Sequence, residues 1–269
     1  MGLLQKACET YDANQDIVGI YREGHEVLPP IGHILTAANV EIQLNADGEF
    51  LQAIEVPKDA PKTLIPVTEA SMGRTSAPSA HPLCDTLAYI GQLDENKHAL
   101  YINELEKWRA SKFSHPILDA VAAYVRRGTL VADLEKASLI TCEKGIPTVD
   151  KFVRWRVTGI PGEEEACWQN RHLQDQFVKY VLSQAADKKQ DICMVTGKLS
   201  ASADQHAKGV VSLHGNAKLI SANDQVNFTY RGRYINDTEA MNVSYEASQK
   251  AHSALRWLVG EQKVYYGKK

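Results

Sequence analysis

No run of about 20 apolar residues occurs in the 269-residue chain, so no segment has the length of a membrane-spanning helix. The start, MGLLQKACETYD, lacks the basic stretch followed by an apolar core that marks a secretory signal, and the expected location is the cytoplasm. The five cysteines, Cys8, Cys84, Cys142, Cys167 and Cys193, are odd in number, widely spaced and contain no CxxC pair. That pattern argues against a disulfide framework or a zinc ribbon, and reduced thiols are expected. The phosphate-cradling GxxxxGK(S/T), the dinucleotide GxGxxG, the zinc-protease HExxH and the GxSxG nucleophile elbow are all missing. Nor is there an excess of cations: 30 Lys and Arg stand against 33 Asp and Glu, a formal net charge of −3. The simplest signature of a nucleic-acid binder, a basic chain, is therefore absent.

What is present is folded-protein material, with 44% hydrophobic and 23% charged residues and a length that allows one large domain or two small ones. The charge is uneven. Residues 1–56 carry a net −7 and 57–106 a net −3, whereas 107–156 carry +5 and 195–235 carry +3. Phosphate contact depends on such local potential more than on the total.

The first dozen residues predict a short helix with Leu3, Leu4, Ala7 and Tyr11 on one side. Val40 to Leu44 alternates apolar and polar, Asn45-Ala46-Asp47-Gly48 supplies turn chemistry, and Phe50 to Val56 reads as the returning strand of a hairpin. Residues 57–82, rich in Pro, Ser, Thr and Gly, read as a long loop. Helices are predicted over Glu95 to Ser111 and from Pro116 to Arg127, the second opened by Ser114-His115-Pro116 and closed by Gly128. Lys151 to Val157 alternates as a strand, with Val153, Trp155 and Val157 on one face and Phe152, Arg154 and Arg156 on the other. Trp168 to Ala186 and Ser244 to Val259 read as amphipathic helices, the last stopped by Gly260. The sum is an α+β fold with hairpins or small sheets, several amphipathic helices and long functional loops. Residues 1–269 are expected to form one unit, with a sub-boundary near 187–197 as the candidate break.

His81 with Cys84, and Cys193 with His206, are the nearest approaches to a thiol–base pair, but five cysteines and nine histidines produce such proximity by chance. Acidic residues are too scattered to nominate a metal site, and Glu163-Glu164-Glu165 reads as a helix start. No catalytic residue, metal or cofactor is expected.

Several blocks, taken in order, resemble one family. They are Cys193-Met-Val-Thr-Gly197, His206-Ala-Lys208-Gly209-Val210, Gly215 followed by Leu219-Ile220-Ser221-Ala222-Asn223, and Asn242-Val243-Ser244 leading to Leu258. Leu4 to Ala7, Asp47-Gly48, Arg74-Thr75-Ser76 with Cys84-Asp85 and Tyr89-Ile90-Gly91, and Phe152 to Val157 are similar to the family's earlier blocks. The family is the large subunit of the type I-C CRISPR surveillance complex, Cascade. Its members are longer and end in a helical region, so this chain resembles their amino-terminal portion. Ala222 stands where the family usually has Phe, and the end of the Arg-Thr-Ser loop is also altered.

The resemblance implies a non-enzymatic DNA reader, in which guide RNA supplies sequence while the large subunit recognises a short protospacer-adjacent motif on duplex DNA and helps to begin strand separation in antiviral defence. It points to Arg74, Thr75, Ser76, Lys208, His214, Gly215, Asn216 and Lys218 as motif-loop residues, and to Arg154, Arg156, Arg231 and Arg233 as phosphate contacts. The implied partners are double-stranded target DNA and other Cascade subunits, with the guide-RNA handle as a further candidate and no membrane. The alternative is an assembly module that binds the handle and neighbouring subunits without reading DNA.

Overall fold

In a computed structural model of the chain, the residues described are 2–74, 77–143, 146–147, 150–188, 190–211, 217–220 and 241–262, those at 142–143 and 146–147 by backbone alone. The chain divides into two compact units, one of His33–Tyr180 and one joining Met1–Gly32 to Val181–Lys269. The mixed α+β class read from the pattern is what the elements show.

Within His33–Tyr180, β1 (His33–Thr36) pairs antiparallel with β4 (Thr63–Pro66). Between them, β2 (Val40–Asn45) and β3 (Phe50–Glu55) form the predicted hairpin. Its turn is built by Asn45, whose Oδ1 accepts the N–H groups of Asp47 at 3.0 Å and Glu49 at 2.8 Å. Gly48 sits at φ +74°, and a Cβ there would lie 2.3 Å from the Ala120 carbonyl oxygen. Two short helices follow, α2 (Glu69–Met72) and α3 (Leu87–Ile90), then α4 (Glu95–Arg109), α5 (Pro116–Arg127) and α6 (Leu130–Lys136). The long loop expected over 57–82 thus contains a strand and a capped helical turn. The α5 ends are as predicted: Pro116 occupies its first turn, and Gly128 takes the left-handed conformation beyond its last.

After the short β5 (Cys142–Glu143) and β6 (Ile146–Pro147), β7 (Val153–Thr158) pairs parallel to β2, giving the sheet order β3–β2–β7. Val40, Ile42 and Leu44 of β2 sit in register with Val153, Trp155 and Val157 of β7, all buried, and α5 packs on these strands. Each such side chain contributes about 1.5–3 kcal/mol by leaving water. Polar tips in this core find carbonyls: Trp155 Nε1 and Tyr101 Oη both donate to the Leu83 oxygen, at 2.9 Å and 2.8 Å. From this unit α7 (Arg171–Ala186) leads into the other.

In that other unit, α1 (Leu3–Asp12) packs on α8 (Tyr245–Glu261), and the hairpin of β8 (Gln190–Ile192) and β9 (Leu199–Ala201) precedes α8. Ala7, Cys8, Tyr11, Leu28, Val243, Ala247 and Ala251 form its core. Leu3, expected on the packed side of α1, is instead 63% exposed. Ser244 caps α8 by accepting the Ala247 N–H at 3.2 Å. The predicted stop at Gly260 is corrected: α8 runs through it to Glu261. Gly260 is a close-approach residue, since a Cβ there would lie 2.6 Å from Glu26 Cγ.

Two of the left-handed glycines, Gly48 and Gly159, separate steric from conformational cost, because nothing lies within 4 Å of a Cβ at Gly159. Gly159→Ala should lose about 1 kcal/mol from the left-handed backbone alone, and Gly48→Ala should lose roughly 2–4 kcal/mol because a backbone oxygen must also move. Urea denaturation of the two variants checks this; equal losses would show that the Ala120 contact relaxes freely.

Candidate nucleic-acid interface

The candidate cations fall into an architectural group and an open group. Arg74 belongs to the first. Its Nη1 and Nη2 grip the Asp85 carboxylate at 2.7 Å and 2.6 Å, Nη1 also donates to the Ser79 carbonyl at 2.7 Å, and the guanidinium lies 4.6 Å over the Tyr89 ring. Asp85 is fully buried and accepts two further N–H groups, from His81 at 2.8 Å and Thr86 at 2.7 Å. The Arg74, Asp85 and Tyr89 blocks therefore meet in space as one loop-holding knot. Thr75 and Ser76 lie outside the described residues.

Arg154 and Arg156 project from β7 on the face opposite Trp155, where the parallel register sets Glu41 beside Arg154 and Gln43 beside Arg156. The Glu41 carboxylate, 2% exposed, accepts from Arg154 Nη2 at 2.7 Å and Nε at 3.0 Å through Oε2, and from Arg156 Nε at 2.7 Å through Oε1. Burial opposes its ionisation, but the hydrogen bonds and charges of the two arginines outweigh that and hold its carboxyl below the ordinary value. The aromatic partner expected from Phe152 is corrected. Phe152 is buried near His81, with ring centroids 6.3 Å apart, and the ring on the guanidiniums is Trp168, 3.7 Å from Arg154 and 5.3 Å from Arg156. Arg156, with 29% of its side chain exposed against 11% for Arg154, keeps the more open face.

The open group lies in the unit containing α8. Lys208 and Lys218 oppose each other across an antiparallel bridge, reinforced by the Gly209 N–H donating to the Ala217 carbonyl at 2.8 Å. Residues opposed in this way share a face, and like charges there repel. Behind them Arg256, on α8, donates to the Lys208 and Gly209 carbonyls; burial alone pushes its guanidinium below its ordinary value. His206 is pushed down to about 4 by burial and by the charges of His252 and Lys218. Among the described residues, no carboxylate is ion-paired with Lys208, Lys218 or Arg256. The sequence reading missed Arg256, whose contacts show only once α8 and the Lys208–Gly209 segment are placed together. His214, Gly215, Asn216, Arg231 and Arg233 lie outside the described residues.

Burial raises Cys84 to about 12 and lowers His81 to about 4. Cys193 is lowered to about 7, its desolvation outweighed by hydrogen bonds from Ser244 and Thr196, but its sulfur is buried in the core as an acceptor of the Ser244 N–H. The reading of Glu163 to Glu165 as a helix start is also corrected: α7 begins at Arg171, its first turn capped by Asn170 Oδ1 on the Leu173 N–H at 2.8 Å, and Glu163 instead meets His115 and His172.

A family model described as CRISPR-associated protein (Cas_Csd1) matches residues 8–269. The chain belongs to this family. Curated protein sequences give no match. Among the described residues of this Csd1 chain, no helix is long and apolar enough to cross a membrane.

Glu41 gives a stability test with a defined sign. Its carboxyl is lowered in the folded chain, so its contribution is present above the free carboxyl's value of about 4.3 and is lost as pH falls through its lower folded value. Glu41→Gln should cost about 3 kcal/mol at neutral pH, because two half-buried guanidiniums lose their counter-charge, and should flatten the acid limb. Thermal melts between pH 7 and pH 3 check both; a variant whose loss stays constant down to pH 3 contradicts the assignment.

Proposed function

We propose that the chain is the amino-terminal, duplex-reading portion of a type I-C Cascade large subunit, which contacts target DNA at the protospacer-adjacent motif and helps to open the strands for guide-RNA pairing. The work is binding rather than catalysis, with no cofactor. Membership of a CRISPR-associated family supports the setting, and the block order supports the type and subunit. The observation that carries the DNA contact is the opposed Lys208–Lys218 pair with Arg256 behind it. Two ammonium groups on one face of a loop-closing bridge are stabilised by a phosphate between or beside them. Arg156, with its open side and stacked Trp168, is the second phosphate contact of the reading. Arg74 acts indirectly, through its grip on Asp85 and the Ser79 carbonyl, and the roles of Thr75, Ser76, His214, Gly215, Asn216, Arg231 and Arg233 rest on the family resemblance alone.

A second reading, assembly without DNA contact, is favoured by one feature: Ile192, Met194 and Leu199 of the β8–β9 hairpin are 62%, 56% and 70% exposed. Such an apolar ridge suits a neighbouring subunit.

Lys218 is exposed, so Lys218→Ala leaves the fold intact. In the complete assembly, it should weaken duplex binding several-fold, with and without the motif, and reduce the salt slope of log K by about 0.9. Filter-binding titrations over a range of salt concentrations measure both. An unchanged slope and affinity would remove the lysine pair from the DNA surface and favour the assembly reading.

A further inference from the structure

The loop between β7 and α7 brings Glu163 to a point where two imidazoles meet it. His115 Nε2 lies 3.1 Å from Glu163 Oε2, and His172 Nδ1 lies 2.7 Å from Oε1. The three donor atoms stand within 4.8 Å of one another, and the two rings are 4.8 Å apart at 70°. The His115 ring is fully buried, and its Nε2, although aimed at this carboxylate, makes no hydrogen bond of acceptable geometry. A buried polar atom in that condition calls for a partner.

We propose that His115, Glu163 and His172 bind one divalent transition-metal ion of the zinc type, which ties the β7–α7 loop to the start of α5. Two imidazole nitrogens and one carboxylate suit such an ion and not magnesium or calcium, which take oxygen. Zinc about 2.0–2.1 Å from each atom needs neighbouring ligands about 3.3 Å apart. The His115 contact to Glu163, at 3.1 Å, is close to that, while the 2.7 Å His172 contact must lengthen, which the 55% exposed His172 side chain can do by turning, closing the gap to His115 as it does so. Its exposure also leaves room for water to complete the coordination.

The surrounding hydrogen bonds state what binding must rearrange. Asn170 Nδ2 donates to Glu163 Oε2 at 3.0 Å and orients the carboxylate. His172 Nε2 faces the Gln176 amide at 2.9 Å; when Nδ1 takes the metal, the ring proton moves to Nε2 and the amide presents its oxygen instead. His115 Nδ1 accepts the Ile117 N–H at 3.3 Å, so the neutral ring carries its proton on Nε2. Ligation shifts that proton to Nδ1 and gives up this long contact at the head of α5. Both rings stay neutral, so the tautomer shifts exchange protons with solvent and release none overall. Burial already holds His115 below its ordinary value, and the unprotonated form is the one that binds.

The test is titration of the metal-stripped full chain with zinc chloride at pH 7.5 by calorimetry, alongside His172→Ala and Glu163→Gln. His115→Ala is avoided because it empties a buried site, whereas the exposed His172 ring can be removed with the fold intact, as circular dichroism verifies. One ion per chain is expected, with at least tenfold weaker binding in each variant, no response to magnesium, and X-ray absorption showing two nitrogen ligands at about 2.0 Å. Absence of stoichiometric binding in the unmodified chain overturns the proposal. So does unchanged binding in His172→Ala, which would mark an adventitious ion on other histidines.

Discussion

A carboxylate buried to 2% exposure, Glu41, must be paired or neutralised, and the chain pairs it with two guanidiniums from a strand more than a hundred residues away. That requirement fixes the central sheet. Glu41 sits opposite Arg154 only in the register that also places Val40, Ile42 and Leu44 beside Val153, Trp155 and Val157. A slip of one residue would turn the carboxylate into the apolar face and the valines out of it. The sheet is therefore specified twice, by apolar burial on one side and by the ionic knot on the other. Trp168 completes the knot by covering the guanidiniums, which strengthens their hydrogen bonds by excluding water.

The same logic separates the arginines from the lysines. A planar guanidinium can satisfy a buried carboxylate with two parallel donors, and Arg74 with Asp85 shows that fork directly. Part of the net +5 of residues 107–156 is accordingly matched by acids elsewhere in the chain. Arg109 and Arg126 reach Glu106, and Arg154 and Arg156 reach Glu41, both acids lying outside that window. In the 195–235 stretch, by contrast, Lys208 and Lys218 are held together and Arg256 spends its donors on backbone carbonyls. Of the two basic stretches, the first gives four of its arginines to such pairs, while among the described residues the lysine pair of the second meets no carboxylate.

What could be read from the chain was what its neighbours in sequence decide. The β2–β3 hairpin and both ends of α5 follow from Asn45, Gly48, His115-Pro116 and Gly128, each acting within a few residues. The β1–β4 pair escaped because HILT and TLIP are short, TLIP lies within the segment that reads as loop, and the β2–β3 hairpin separates the two strands. Alternation correctly put Arg154 and Arg156 on one face of β7, but it placed Phe152 with them. The ring that covers them comes from Trp168, on the loop after the strand, which no periodicity could supply. Glu163 was misread for a related reason: carboxylates favour a helix start, but Asn170 caps α7, leaving Glu163 to two histidines that are distant or inconspicuous in sequence.

The loop from Gly159 to Asn170 joins these observations physically. Gly159 and Gly162 take left-handed conformations, at φ +82° and +78°, which turn the chain off β7. Beyond them Glu163 is held by His115 and His172, while Trp168, five residues on, rests on Arg154. Between them the segment is pinned to β7 itself, the Val157 N–H donating to the Glu165 carbonyl at 2.9 Å and the Cys167 N–H to the Trp155 carbonyl at 3.2 Å, so the strand sets the position of the Trp168 ring. The depth at which Arg154 and Arg156 are covered depends in turn on that ring.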